Sequence, residues 1–309
     1  MATLKLPRKA AAHLLTALAL AVAAGWAWQQ FSRPWGDQAV NFTPASQQCG
    51  QTGQLRYCVH RAAGGVNGDV VYHLHGRNLE AEIWNDPSYF TAMVQAYWQN
   101  AGLLPPTVIS LSYGPVWLLA PKGQAELSGL LDTIWPDTSA IEAGVGKPRR
   151  RLLMGESMGG LNSLVLGLSH PQHFDKVAAL CPNVYQESPF APLSQIRAAM
   201  VRTGAEPRIV FGIWQLARRY VSNDEEWRRM SPLALIEGAA MQAAIQAAMQ
   251  AARPSLYLSG GLYDRYGLYE GAERLAQRAV QLGLPTEWHP VYGGHCAIDI
   301  ASLGAFLVR

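Results

Sequence analysis

Met154-Gly155-Glu156-Ser157-Met158-Gly159-Gly160 places a serine with glycine at both second neighbours. An apolar stretch, Arg151-Leu152-Leu153-Met154, runs into it, and the helix-like run Leu161 to Leu168 follows it. Strand, sharp turn and helix in that order make a nucleophile elbow, which presents a hydroxyl at the end of a buried strand. The serine of such a turn sits in a strained backbone conformation, and side chains at its second neighbours would collide across the turn. Gly160 lets the helix pack close to the neighbouring strand. A chain with 29 glycines meets the bare pattern easily by chance. The competing reading is a glycine-rich turn with a solvent-facing serine, so the rest of the chain must supply partners.

A serine hydroxyl is a poor nucleophile at neutral pH. It needs a base in hydrogen-bond reach and a carboxylate to orient that base. Where the serine sits on an elbow, acid and base follow it in chain order. His170, His173, His289 and His295 follow Ser157. His170 and His173 fall at the far end of the elbow helix, and His289 lies within a strand pattern. His295, in Tyr292-Gly293-Gly294-His295-Cys296, hangs on a loop after the last strand, where a base belongs. Asp264 directly follows the strand Ser255 to Ser259, on the same sheet edge as Ser157. Asp175 precedes its strand, Asp224, Glu225 and Glu226 read as a charged helix face, and Asp299 comes after the base. The developing oxyanion needs two donors. One is the backbone N–H of Met158. The other is the N–H of Arg77, in the turn His75-Gly76-Arg77-Asn78 after an apolar strand, where Gly76 permits a tight backbone. The Arg77 side chain reads either as a surface group or as a contact for an acidic substrate group. His73 and His75 read as structural. The sequence has no Cys-x-x-Cys pair and no zinc-like histidine spacing, and the chemistry requires neither metal nor cofactor.

These side chains must be held by alternating elements. Leu55–Val59, Asp69–Leu74, Thr107–Leu111, Arg151–Met154, Lys176–Cys181, Ser255–Ser259 and Glu287–Tyr292 read as strands. Helical patterns cover Leu79–Ala101, Gln124–Ile141 (broken at Pro136) and Tyr269–Leu282. The alternation predicts a mostly parallel sheet flanked by helices. From Pro182 to Arg253 no sheet strand is evident. That region, about 184–253, reads as a helical cap inserted over the carboxyl edge of the sheet. Met241, Ile245 and Met249 read as the buried face of one of its helices, and Phe190, Phe211, Trp214 and Trp227 as pocket or cap-core residues.

The chain has 309 residues, 49% hydrophobic and 15% charged, with a formal net charge of +3. That composition excludes global disorder, and the small charge argues against nucleic acid as a partner. Arg149-Arg150-Arg151 reads as a solvated loop end. Lys5, Arg8 and Lys9 precede an apolar stretch from Leu14 to Ala24, with small residues at Ala21-Val22-Ala23, as in an export signal. Read from Ala10 to Trp28, with Trp26, Trp28 and Trp35 near the outer interface, the same stretch is long enough to anchor the chain in a membrane. Residues 1–30 are therefore a signal peptide or N-terminal anchor and 31–53 a linker. The catalytic part, 54–309, faces outward, so the protein is periplasmic or extracellular. Cys49 and Cys58 are placed to staple a hairpin, and Cys181 and Cys296 are either paired or free and buried.

Tyr72-His73-Leu74-His75-Gly76, Gly155-Glu156-Ser157-Met158-Gly159-Gly160, Asp264 and His295 together resemble the esterase branch of the α/β-hydrolase superfamily. This branch holds the esterase D-like, tributyrin and feruloyl esterases and the mycolyltransferases of the antigen 85 type. The resemblance covers about residues 55–305. It implies an α/β-hydrolase fold and a serine esterase acting on a small-molecule ester through a Ser157–Asp264–His295 triad, with no cofactor. An acyltransferase using the same residues, a serine peptidase, and a non-catalytic binding protein on the same fold are the alternatives. The segment 184–253 and the His-x-His-Gly-Arg turn depart from the familiar pattern and leave the substrate open.

Overall fold

Apolar runs of five to seven residues bounded by turn residues form the middle of a sheet, where both faces are covered. The computed structural model describes residues 8–32, 40–52, 55–112, 141, 144–238 and 254–309. Two units are distinguished, Met1–Val40 and Asn41–Arg309. The first contains helix α1, Arg8–Ser32, over the expected apolar stretch. Among the described residues no helix is long and apolar enough to cross a membrane.

Among its described residues the second unit holds eight strands: β1 (Ser46–Thr52), β2 (Leu55–Arg61), β3 (Val70–Leu74), β4 (Thr107–Ser112), β5 (Arg151–Glu156), β6 (Lys176–Leu180), β7 (Ser255–Gly261) and β8 (Thr286–Val291). They form one sheet in the order β1-β2-β4-β3-β5-β6-β7-β8. β1–β2 and β2–β4 are antiparallel, and every later pair is parallel. β3, β4 and β6 are buried along their whole length. Alternate residues feed opposite faces. Tyr72, Leu74, Ile109 and Leu153 pack with α3 (Met158–Ser169) and α8 (Tyr269–Gln281). Val71, Val108, Leu152 and Met154 pack with α2 (Phe90–Asn100) and α9 (Ile300–Val308). The alternation of side-chain direction along the central strands thus supplies both layers of core.

Between β6 and β7 the described chain is helical: α4 (Leu193–Thr203), α5 (Pro207–Ala217), α6 (Asp224–Met230) and α7 (Pro232–Leu235). These helices build their own core around Ile196, Val210, Trp214 and Trp227, which closes on Met158, Leu161 and Val165 of α3. The cap therefore rests on the elbow helix. Met241, Ile245, Met249 and most of the Gln124–Ile141 segment lie outside the described residues.

Two expectations change. Residues 46–52, assigned by their polar composition to the linker, form edge strand β1, and Cys49 faces Cys58 across the β1–β2 ladder in a disulfide. An exposed edge strand needs no apolar face, so composition alone does not reveal it. The helix read over Leu79–Ala101 is split into a 3-10 turn, Ala81–Asn85, and α2. Pro87 holds the preceding Asp86 extended, at φ −68° and ψ 118°, and interrupts the helical path.

Candidate active site

β5 ends at Glu156 and α3 begins at Met158, so Ser157 occupies the single residue between them, at φ 54° and ψ −112°. Only crowding on all sides holds a non-glycine residue there. A Cβ on Gly155 would lie 2.4 Å from the Gly159 carbonyl carbon, one on Gly159 1.7 Å from the Leu74 carbonyl oxygen, and one on Gly160 2.7 Å from the Leu180 carbonyl oxygen. The spacing read from the sequence is therefore a steric requirement of the turn.

His295 lies on the loop after β8, and its Nε2 is 2.9 Å from Ser157 Oγ. Its Nδ1 is 3.0 Å from Asp264 Oδ2. The Asp264 side chain is 1% exposed and that of His295 21% exposed, so the carboxylate is sealed while the imidazole edge stays accessible. Asp264 Oδ1 accepts the Tyr266 backbone N–H at 2.8 Å. The Tyr266 ring stacks on the imidazole, with centroids 4.0 Å apart. Tyr185 donates its hydroxyl to the Tyr266 carbonyl, and burial with the nearby Asp264 charge raises that phenol above its ordinary range, keeping it a donor. The loops carrying Asp264 and His295 are laced together: Leu262 N–H donates to the Val291 carbonyl and Tyr263 N–H to that of Gly293, both at 2.9 Å. A Cβ on Gly261 would stand 2.0 Å from the Gly294 carbonyl oxygen, so this approach requires glycine. A disulfide from Cys181, just past β6, to Cys296 fixes the base loop from the other side.

Met158 is the first residue of α3, so its N–H has no intrahelical acceptor. Arg77 lines the same cavity as Ser157. Gly76 opens a tight turn, its carbonyl accepting the Leu79 N–H at 3.4 Å. Its φ is not left-handed, and a Cβ there would meet nothing nearer than 3.5 Å. The left-handed residue of this turn is Asn78, at φ 64°. Side chains hold Gly76 instead. Its N–H donates to Glu156 Oε1 at 2.7 Å, and its carbonyl accepts from His75 Nδ1 at 2.7 Å.

The cavity at Ser157 has a volume of about 350 Å³. Met158, Ile213, Leu216 and Tyr266 give it apolar walls, while Arg77, Tyr89 and Asn183 bring polar groups. Ile213 and Leu216 come from α5 of the cap. Of the aromatic residues read as pocket or cap core, Trp214 and Trp227 belong to the cap core, Phe190 packs against it 5.4 Å beneath the Arg218 guanidinium, and Phe211 is 40% exposed. Amphipathic periodicity marks an α5 face, but not that part of it faces a cavity.

The discarded acids and bases have other partners. Asp175 accepts the Arg151 N–H at the opposite edge of the sheet, Asp299 caps α9, and Asp224 and Glu225 pair with Arg228 and Arg229 along α6. Arg149 and Arg150 both bind the buried Asp69 carboxylate, so this end of the cluster is pinned rather than merely solvated. Cys181, His295 and Cys296 cluster within reach of one another, as do Cys49, Cys58 and Glu82, but each pair of sulfurs is spent in a disulfide.

An eight-stranded, mainly parallel sheet with a serine on a strained strand-to-helix turn defines the α/β-hydrolase fold. Solved structures agree. A fungal esterase from Rhizomucor miehei aligns with a TM-score of 0.59 at 14% identity, covering 88% of this chain and 83% of its own. An arylesterase aligns at 0.56 and 17%, covering 87% of each chain, and a ferulic acid esterase at 0.55 and 15%, covering 86% and 96%. No curated protein matches the sequence. Residues 136–297 match the esterase family described as "Putative esterase", and the chain belongs to that family. It is a carboxylic ester hydrolase.

Proposed function

We propose that the protein hydrolyses small carboxylic esters by a two-step acyl-enzyme mechanism with Ser157 as nucleophile, His295 as base and Asp264 as orienting acid. The observation that carries this reading is the unbroken chain from Ser157 Oγ through both His295 nitrogens to Asp264, at 2.9 and 3.0 Å. His295 Nε2 takes the Ser157 proton as Oγ attacks the ester carbonyl. The N–H groups of Met158 and Arg77 receive the developing oxyanion. Collapse of the tetrahedral species expels the alcohol, which leaves with the proton from His295. Water then gives a proton to His295 and attacks the acyl carbon; the acid departs and Ser157 recovers its hydrogen. A cavity of about 350 Å³ with apolar walls favours short acyl and alcohol groups. Export to an oxidising compartment fits a chain whose four cysteines all sit in disulfides, behind a basic and then apolar N-terminus.

The test is a chain-length series of p-nitrophenyl esters on the wild-type protein and Ser157→Ala. Turnover should peak at short acyl chains and fall by at least about 10³-fold in the variant. Full activity in Ser157→Ala would refute the assignment.

A further inference from the structure

Glu156 is a carboxylic residue that the mechanism above does not use. It lies immediately before the nucleophile and is 1% exposed. A buried carboxylate persists only where its oxygens are satisfied. Oε1 accepts the Gly76 backbone N–H at 2.7 Å and the Tyr89 hydroxyl at 2.9 Å. Oε2 lies 2.9 Å from His73 Nε2, and His73 Nδ1 is 2.9 Å from Ser110 Oγ. The donors come from β3 (His73), the turn after it (Gly76) and the residue capping α2 (Tyr89), and His73 in turn pairs with Ser110 of β4.

The contact with Gly76 gives this network its consequence. Gly76 C=O and Arg77 N–H belong to one planar trans peptide and point in opposite directions. His75 Nδ1–H holds the carbonyl at 2.7 Å, and burial lowers the His75 pKa, which keeps the ring neutral. His75 Nε2, 2.7 Å from Ser112 Oγ, is then the acceptor, so the tautomer is set from behind. Glu156 fixes the N–H side of Gly76, and His75 fixes its carbonyl. A Cβ on Gly76 would meet only ordinary contacts, so steric crowding does not impose this geometry.

The geometry points to Glu156 as the positioning residue of the oxyanion site: through the Gly76 N–H, and with His75 on the Gly76 carbonyl, it aims the Arg77 N–H at the carbonyl attacked by Ser157. The inference rests on the proposed roles of Ser157 and Arg77. Glu156 touches no substrate. It acts through the peptide it holds, and one residue pair thereby couples the nucleophile turn to the donor turn. Burial and the Glu156 charge raise the Tyr89 phenol, so Tyr89 remains a donor throughout turnover.

The test compares wild type with Glu156→Ala, Glu156→Met and Glu156→Gln, all checked for folding by near-UV circular dichroism. Glu156→Met fills the space without an acceptor if the alanine variant does not fold. Two readouts are taken: the kcat–KM split on a short p-nitrophenyl ester, and the affinity for a trifluoromethyl ketone, which forms a tetrahedral oxyanion adduct. Loss of the acceptor should cut kcat by about 10²-fold with KM nearly unchanged, the size of losing one oxyanion donor. Ketone affinity should fall in parallel. Glu156→Gln keeps an oxygen for the Gly76 N–H once His73 switches tautomer, and should recover to within about tenfold of wild type. A folded Glu156→Ala or Glu156→Met variant with wild-type kcat and ketone affinity would overturn the inference, as would a Glu156→Gln variant no better than Glu156→Met. Ser157→Ala separates the two ideas: if it remains active, the reading of the site itself has failed; if it is dead while the Glu156 variants are unaffected, only the positioning role has.

Discussion

Ser157 shows how far a seven-residue motif reaches. Its left-handed φ of 54° and the Cβ collisions at Gly155, Gly159 and Gly160 are what the glycine spacing implies. Asp264 and His295 were legible for a different reason: each follows a strand whose direction was already fixed by apolar pattern, so each had to emerge at the edge that carries Ser157. Tyr266 was not legible, because nothing in an Asp-Arg-Tyr sequence announces that the ring will fold back onto the imidazole of His295, far along the chain. The stacking at 4.0 Å covers one face of His295 and would favour the imidazolium of the proposed mechanism. Tyr266→Ala should lower kcat/KM by up to about tenfold, the scale of one aromatic contact. Tyr266→Phe should restore it. Equal losses in both variants would assign the effect to the hydroxyl rather than the stack, and the comparison needs only steady-state kinetics on one ester.

The sheet is the element that turns separated residues into a site. Parallel register places the ends of β5, β6 and β7 side by side, with Leu180 opposite Glu156 and Ser259 opposite Leu180. That much follows from apolar runs separated by helical periods. β1 was hidden because a polar edge strand has no burial signal, and the break at Asp86-Pro87 was hidden because the helical pattern continues across it. The Cys181–Cys296 disulfide lay beyond the reach of spacing, with 115 residues between its ends. It joins the tip of β6 to the residue after His295, both at positive φ, 41° and 57°. The double variant Cys181→Ala, Cys296→Ala should lose about 2–4 kcal/mol of stability, as expected for opening a long loop. Because the base loop is then held mainly by the Leu262 and Tyr263 backbone bonds, kcat should fall with it. Urea unfolding and steady-state kinetics on the same preparation check both, and unchanged kcat would show that the loop is held without the crosslink.

At the scale of the molecule, the proposed catalytic residues sit at one edge of the sheet, while a pH-sensitive group lies elsewhere in its core. His60 on β2 is 1% exposed and packs against Trp84. Burial, helped by His73, pushes its pKa from 6.5 down to about 4. Between those values the unfolded chain binds a proton that the folded chain refuses, so stability is full above pH 6.5 and declines as the pH falls towards 4, by on the order of 3 kcal/mol. His60→Leu should flatten that decline without changing the esterase pH profile. Thermal unfolding at a series of pH values from 4 to 7 checks it, and an equal slope in wild type and variant would place the titration at another group. His60 looked unremarkable in the sequence, since a histidine alternating with valine and cysteine on a strand carries no mark of the tryptophan face it packs against.

The most direct test of the central claim is intact-mass and peptide-mapping spectrometry after treatment with a fluorophosphonate. One adduct per chain, located on Ser157, absent from Ser157→Ala and strongly slowed in His295→Ala, is the expected result. Stoichiometric labelling at another serine, or no labelling of a folded and active protein, would contradict it.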